Sequence, residues 1–359
     1  MKKQKVIAKK CLHILALVPL LFVFCTEVSA AEKGFSYDEY SDELSELVPD
    51  EFAELSEVGL GVDGLFSELS SVIRGELGSI GEFFTFFIVI TVILLVSDLL
   101  LPDGSFGEGV TLICSVAVMS RLFPIVRSVN EALAESSAFF GGAIPILCTV
   151  SAGSGAISLA GAGSGSVAII LWITDLLGRE MLMPLVVGTY TLGVVSSDSR
   201  APSARLRVGM KNCFTKGVGV VSAVISGVSG LQTVVATAAD SAAIRTAKYA
   251  ASNVIPVVGG VLSGTISTLA GGTAYAVSTL GSTVVATLVL MSLSPLCMLL
   301  GFRLTVFFAS FLSDLCGSKG GVIDATAGAF DCMIAVYSCC MVMLILQSLI
   351  FVSGGARIG

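Results

Sequence analysis
Histidine is nearly missing from this sequence. The single histidine, His13, stands within the first thirty residues, so removal of that segment leaves a chain with none. Such a chain cannot run Ser-His or Cys-His nucleophilic catalysis, build most zinc sites, or use the usual near-neutral proton switch. No Gly-Lys-Ser/Thr occurs anywhere, which excludes a Walker-type phosphate loop, so ATP-driven work would need another subunit's hydrolysis. No Gly-x-Gly-Asp motif of an intramembrane aspartyl protease is present, since "GLGVD" at 59–63 has one residue too many. The "GAGSG" at 161–165 follows no strand pattern and has no acid at ribose distance, so it is not read as a nucleotide fingerprint. The sequence thus calls for no cofactor and no catalytic residue.

Charge is scarce as well. Only 13% of the 359 residues are charged, against about 25% in soluble domains, and the mean hydropathy is +0.93. No charged residue intervenes between Lys248 and Arg303. At about 1.5 Å per helical residue, that stretch alone is long enough to cross a hydrocarbon core of about 30 Å twice. The composition specifies an all-α, polytopic helical membrane protein, and the apolar runs allow about six to eight spans.

The N-terminal residues 1–30 have the pattern of a cleavable signal peptide: Lys2, Lys3, Lys5, Lys9 and Lys10, an apolar run from Cys11 to Cys25, then Val28 and Ala30 before a cut at Ala31. Phe24 before Cys25 does not fit a lipid-attachment site. The next segment, 31–82, is acidic, holding 14 of the 27 acids against Lys33 and Arg74. Scarcity of Lys and Arg marks the outer side of a membrane, so the mature N-terminus is expected to be extracytoplasmic. The mature net charge of −11, from 15 basic and 26 acidic residues, makes nucleic acid an unsuitable partner. Eight cysteines follow the signal; none lies in the acidic segment, and their spacing fits packing as small apolar residues rather than metal ligation.

The membrane domain is expected over 83–352, with a tail at 353–359. Its apolar runs read as Phe83 to Leu101, then Gly109 to about Val126, a more polar helix from Arg127 to Ser137, a small-residue stretch near 151–166, and a long run from Val167 to Val195 interrupted at Arg179-Glu180. The segment 198–216, with Arg200, Arg205, Arg207, Lys211 and Lys216, reads as a cytoplasmic loop. An odd number of crossings must therefore precede it. Either a Gly-rich segment does not cross, or the run holding Arg179-Glu180 makes two short passes. Several breaker positions recur 111 residues apart: Ile144-Pro145 with Ile255-Pro256, Gly153 with Gly264, Gly161 with Gly272, and Pro184-Leu185 with Pro295-Leu296. They suggest a duplication of 106–200 and 217–311, an arrangement found in transporter-like folds.

Ionisable groups at membrane depth are expensive and usually face a cavity or a partner, although charges at helix ends can snorkel to the headgroups. The candidates are Asp98, Asp175, Arg179, Glu180, Asp240, Arg245, Lys248, Arg303, Asp314, Asp324 and Asp331. Arg303 stands apart because apolar residues flank it on both sides, and Asp175 is the second intramembrane candidate. In "SNVIPVVGGVLSGTISTLAGG" (252–272), helical steps of four place Pro256, Gly260, Gly264, Thr268 and Gly272 on one ridge, with Gly259 and Ser263 on the next. Such a bare face permits close helix packing; a hydroxyl-lined pore wall would use the same face.

The stretch "IRTAKYAASNVIPVVGGVLSGTISTL" (244–269) resembles the most recognisable part of the stage III sporulation protein AE family of spore-forming Firmicutes. "IPILCTVSAGSGAIS" (144–158), "LMPLVVGTYTLGVVSS" (182–197), "AVISGVSGLQTVVATAAD" (223–240) and "GGVIDATAGAFD" (320–331) agree in the same order. The acidic segment is short for that family and carries no matching motif. The resemblance implies a membrane subunit of a channel or secretion-like complex, in the mother-cell membrane facing the forespore and needed for forespore development. Its implied partners are other stage III sporulation A proteins, including an ATPase, together with a forespore membrane protein and membrane lipid; a homo-oligomer is compatible with it. Arg245, Lys248, Asn253, Pro256, Gly259, Gly260 and Gly264 would form a packing or partner-contacting motif. A self-sufficient secondary transporter built on the 111-residue repeat is the alternative from a different class.

The small face at 259–272 predicts that Gly260→Leu or Gly264→Leu blocks assembly while Leu262→Val is mild, as read by the oligomeric state and yield of the solubilised protein. Equal tolerance of all three would rule out close packing there.

Overall fold
The computed structural model describes residues 62–100, 105–153, 156–195, 202–254, 259–315 and 321–356. The expected signal peptide, the acidic segment as far as residue 61, and residues 357–359 lie outside the described residues. Regular structure among the described residues is entirely helical. The elements are α1 (Val62–Leu100), α2 (Ser105–Gly153), α3 (Ile157–Asp175), a π-helical stretch (Leu176–Met181), α4 (Leu182–Val195), α5 (Pro202–Val254), α6 (Gly259–Leu315) and α7 (Gly321–Ala356). Counting α3, the π-helical stretch and α4 as one run, six helical runs are long and apolar enough to cross a membrane.

Several expected boundaries move. α1 starts at Val62, so the last two-fifths of the acidic segment is helical and continuous with the span expected from Phe83. α2 runs unbroken through the boundary expected at Val126 and through both Pro124 and Pro145. A helix proline removes one hydrogen bond and presses its ring on the carbonyl of residue i−4, and in α2 the residue four before Pro145 is Gly141, which adds no side chain of its own. Membrane helices tolerate such prolines because neighbouring helices resupply the lost constraint. The run 157–195 is one near-continuous pass, not two: Arg179-Glu180 falls in the π-helical stretch rather than in a loop. Pro184 follows within one turn and donates no N–H to the carbonyls behind it, which accounts for the local widening. Three runs therefore precede 198–216, an odd number. That basic segment is itself mostly helical, because α5 begins at Pro202, a residue suited to the first helical position. Pro145 of the first Ile-Pro pair lies inside α2, and Ile255-Pro256 lies outside the described residues.

Cross-helix contacts fix the direction of each run. α6 and α7 are antiparallel, since Gly281 meets Val352 and Arg303 meets Asp331. α3 is antiparallel to α7, through Leu159 with Gly354 and Gly163 with Phe351, and to α5, through Ser158 with Asp240 and Ser166 with Gln232. α2 is antiparallel to α3 and α4, through Gly141 with Leu171, Leu133 with Gly178, and the Tyr190 hydroxyl donating to the Ser115 carbonyl at 2.8 Å. α1 runs parallel to α6, pairing Glu76 with Ser294, Ile80 with Gly301 and Phe83 with Phe302. The six runs therefore alternate in direction, as six successive crossings require, and both ends of the body lie on one side.

α7 is the central helix. It packs against α2, α3, α4, α5 and α6, and 56% of its most apolar window is buried, against 22% for α5. Lipid is as apolar as leucine, so burial of apolar surface does little to drive these helices together; close van der Waals contact must do it. Glycines supply that contact. A Cβ on Gly163 would enter the Phe351 ring, one on Gly281 would strike Val352, and one on Gly301 would strike Ile80. Phe83, Phe302 and Phe330 join α1, α6 and α7, with ring centroids 4.5 Å, 5.7 Å and 6.0 Å apart. Each such pair contributes about 0.5–1.5 kcal/mol beyond its buried area. Many serine and threonine hydroxyls bond the carbonyl one turn back, Thr91 to Phe87 and Ser348 to Leu344 among them, which satisfies them inside an apolar helix.

Gly163→Leu is predicted to lower stability by about 1–3 kcal/mol or more through overpacking, whereas Gly78→Leu, over open space, should be nearly neutral. Thermal unfolding of the detergent-solubilised variants distinguishes them; equal losses would contradict a close helix contact at Gly163.

Candidate functional site
The membrane body keeps its charges in three kinds of place. The first is interior. Arg303 of α6 and Asp331 of α7 meet across an antiparallel crossing, the Arg303 Nε donating to the Asp331 Oδ1 at 2.7 Å, with side chains 24% and 30% exposed. The residues just before them, Phe302 and Phe330, contact each other, so the aromatic cluster flanks the ion pair. Arg303 lies twelve residues before the end of α6 and Asp331 ten residues after the start of α7, about 15–18 Å from either end. An arginine at that depth in apolar surroundings needs a counter-charge, and the antiparallel packing supplies it.

The second place is a helix N-terminus. α2 ends in the small-residue stretch "SAG", the Ala156 N–H donates to the Ser151 carbonyl at 3.0 Å, and α3 then starts with no side-chain cap of its own. Asp240 on α5 acts in place of that cap. It is 3% exposed, and its two carboxylate oxygens accept from the backbone N–H groups of Ser158 at 3.1 Å and Leu159 at 2.8 Å. These are two of the four donors that every helix start leaves unmatched, and the positive end of the helix dipole balances the carboxylate. Two turns further, the Ser166 hydroxyl donates to the Gln232 Oε1 at 3.0 Å and continues the α3–α5 seam.

The third place is the outer surface. Asp175, the second charge candidate, is exposed and paired with Arg179 one turn on, at 2.7 Å, with side chains 55% and 65% exposed. An exposed pair of this kind contributes little to stability. Its outward position follows from the α3 pattern, in which Ile170 and Thr174 take the buried face. Arg127 and Glu131 of α2 form a similar pair at 2.9 Å.

The motif read at 245–264 divides across the limits of the structure. Arg245 is exposed near the end of α5. For Lys248, Asn253, Gly259, Gly260 and Gly264 the helical backbone is described and the side-chain surroundings are not, and Pro256 lies outside the described residues. Seven cysteines are free thiols, Cys213 exposed and the others buried or half-buried, while Cys316 lies outside the described residues. Among the described residues no cluster of three or more His, Cys, Asp or Glu is placed to hold a metal ion.

The family model of stage III sporulation protein AE matches residues 59–355. The chain belongs to that family. The match starts three residues before α1 and ends one residue short of the end of α7, so the family's pattern and the helical body coincide. Stage III sporulation protein AE of Bacillus subtilis (strain 168) is 23% identical over 187 residues, which is 52% of this chain and 47% of that protein. The aligned part thus spans about half the length of this curated relative. No solved structure matches the chain.

Sequence reasoning marked Arg303, Asp331 and Asp240 as charges at membrane depth but paired none of them. The pairing depends on the α6–α7 crossing, which has no local sequence signature, and on the break after α2, which the small-residue stretch signals only weakly. Removing one partner strands the other in apolar surroundings, so Arg303→Met should destabilise by about 3–5 kcal/mol, and Arg303→Met with Asp331→Leu should recover most of that loss. A double-mutant cycle on thermal unfolding in detergent tests this; purely additive effects would show that the two charges do not depend on each other.

Proposed function
We propose that this chain is a non-enzymatic integral membrane subunit of the channel or secretion-like complex that joins mother cell to forespore, and that forespore development requires it. The observation that carries the reading is the family match, which begins and ends with the six-helix body. The subunit works with other stage III sporulation A proteins, including an ATPase that supplies the energy, and with a protein of the forespore membrane. It lies in the mother-cell membrane around the forespore with its N-terminal segment outside the cytoplasm. The alternating helices support this orientation: the basic stretch at the start of α5 and the acidic N-terminal segment fall at opposite ends of the body, and basic residues favour the cytoplasmic side. The motif around Arg245, Lys248, Asn253, Pro256, Gly259 and Gly260 then lies on the outer side, at the end where a partner in the opposing membrane would be met.

A self-sufficient secondary transporter draws support from the break between α2 and α3, since broken helices hold substrates in such proteins. In this chain the Asp240 carboxylate already occupies that helix N-terminus, which leaves it no room to serve as an anion site. The two readings make opposite predictions. Tagged chain isolated from sporulating cells should retain the ATPase and the other stage III A proteins, and the purified chain alone in liposomes should move no solute. Saturable, gradient-driven uptake by the chain alone would overturn the subunit reading in favour of the transporter.

A further inference from the structure
The outer surface of the body divides into two kinds. α5 is its least buried span, and Val220, Val224, Gly227, Leu231 and Val234 are all exposed along it, at alternating steps of four and three residues. A Cβ on Gly227 would meet open space. The second half of α2 is the opposite. From Arg127 to Ala152 no large apolar side chain is exposed; Ala138, Pro145, Thr149 and Ala152 are exposed and Gly142 is half-exposed, again at steps of four and three. Just before them Glu135 is exposed and forms no ion pair among the described residues. Small residues let another helix approach closely, and lipid solvates a carboxylate poorly, so this face suits a protein cover.

Depth identifies the cover. The Phe351 ring of α7 seats on Gly163, and Cys148 of α2 approaches the same glycine, while the neighbouring Ile350 lies over Gly230 of α5. Cys148 and Gly230 therefore sit at one level, and α2 and α5 both run in the direction of α7. Counting back from that level, Ala138 and Val220 are each ten residues away, and Gly142 and Val224 are each six. The two seams thus match in height at every step, with larger residues on α5 against smaller ones on α2 at four of the five and Gly227 against Pro145 at the middle one. Glu135 lies 13 residues back and exposed Lys216, which has no ion pair among the described residues, lies 14 back, about 20 Å each. Copies inserted in one membrane with one orientation keep these depths. A seam with a 3.5-residue period on two parallel helices is the pattern that packs side by side at equal heights.

We infer that a second copy of this chain covers the α2 face, with the α5 ridge of one protomer laid along 138–152 of the next and Lys216 facing Glu135. The contact joins two different surfaces, so it is head-to-tail, and repetition of it closes a ring in the membrane plane. The inference does not rest on the sporulation reading.

Two differently tagged full-length chains, both Cys213→Ser, one with Ala138→Cys and one with Val220→Cys, are co-expressed and oxidised in native membranes. A mixed disulfide between the tags is expected. Ala138→Cys with Val234→Cys should not link, because about 21 Å of depth separates the pair. Lys216→Glu or Glu135→Lys should each cut the mixed disulfide about tenfold, and combining them should restore it. Thermal unfolding of each variant confirms that it is folded. The inference is overturned if folded chains give no mixed disulfide, if matched and mismatched pairs link equally, if the charge swap fails to restore linking, or if Ala138→Cys captures a chain of another mass instead.

Discussion
Near its C-terminal end, one turn of α7 touches three other helices through glycine contacts. Ile350 lies over Gly230 of α5, Phe351 over Gly163 of α3, and Val352 over Gly281 of α6, while a Cβ on Gly354 would strike Thr233 of α5 and Leu159 of α3. Burial of apolar surface does not hold membrane helices together, so such backbone-to-side-chain approaches must. The rest follows from this turn. It sets the height of α3 against α5, and so brings Asp240 to the start of α3. It also sets α6 against α7, and so brings Arg303 to Asp331 some twenty residues away along α7.

The all-α class and the six apolar runs were legible because hydropathy is a property of composition over a window, and windows of low charge are long here. The depth of Arg303 was legible for the same reason. Boundaries were not, because the strongest local signals misled. Ile144-Pro145 read as a breaker position, yet α2 continues through Pro145 and through Pro124, since in a packed apolar setting the surrounding helices hold a chain that proline would bend in water. Arg179-Glu180 interrupts an apolar run and suggested a break, yet Arg179 pairs with Asp175 one turn back and the helix only widens. Asp175 drew attention as an acid in an apolar run, but the face it takes depends on which side of α3 meets α2, and that is a tertiary fact.

The break after α2 shows how a weak local signal gains its meaning from a distant residue. In "SAGSGA" the residue at the start of the following helix is Ala156, whose side chain cannot cap it. By itself it would leave backbone donors unmatched in a setting without water, which is costly for each group. Asp240, more than eighty residues later, matches two of them. Gly-rich flexibility and an otherwise expensive buried carboxylate are two halves of one structure, and neither is stable without the other.

The same economy governs the charges that remain. Arg303 with Asp331 and Asp240 with its helix start are solved within one protomer by residues far apart in sequence. Arg127 with Glu131 and Asp175 with Arg179 are solved within one turn, and such pairs persist whatever lies outside them. Glu135 and Lys216 fall in neither class. Both are exposed, at equal depth, and on helices whose outward faces differ in one respect above all: α5 offers bulk where α2 offers none. Two complementary charges at matching height on such unlike faces suit a contact that a single protomer cannot make.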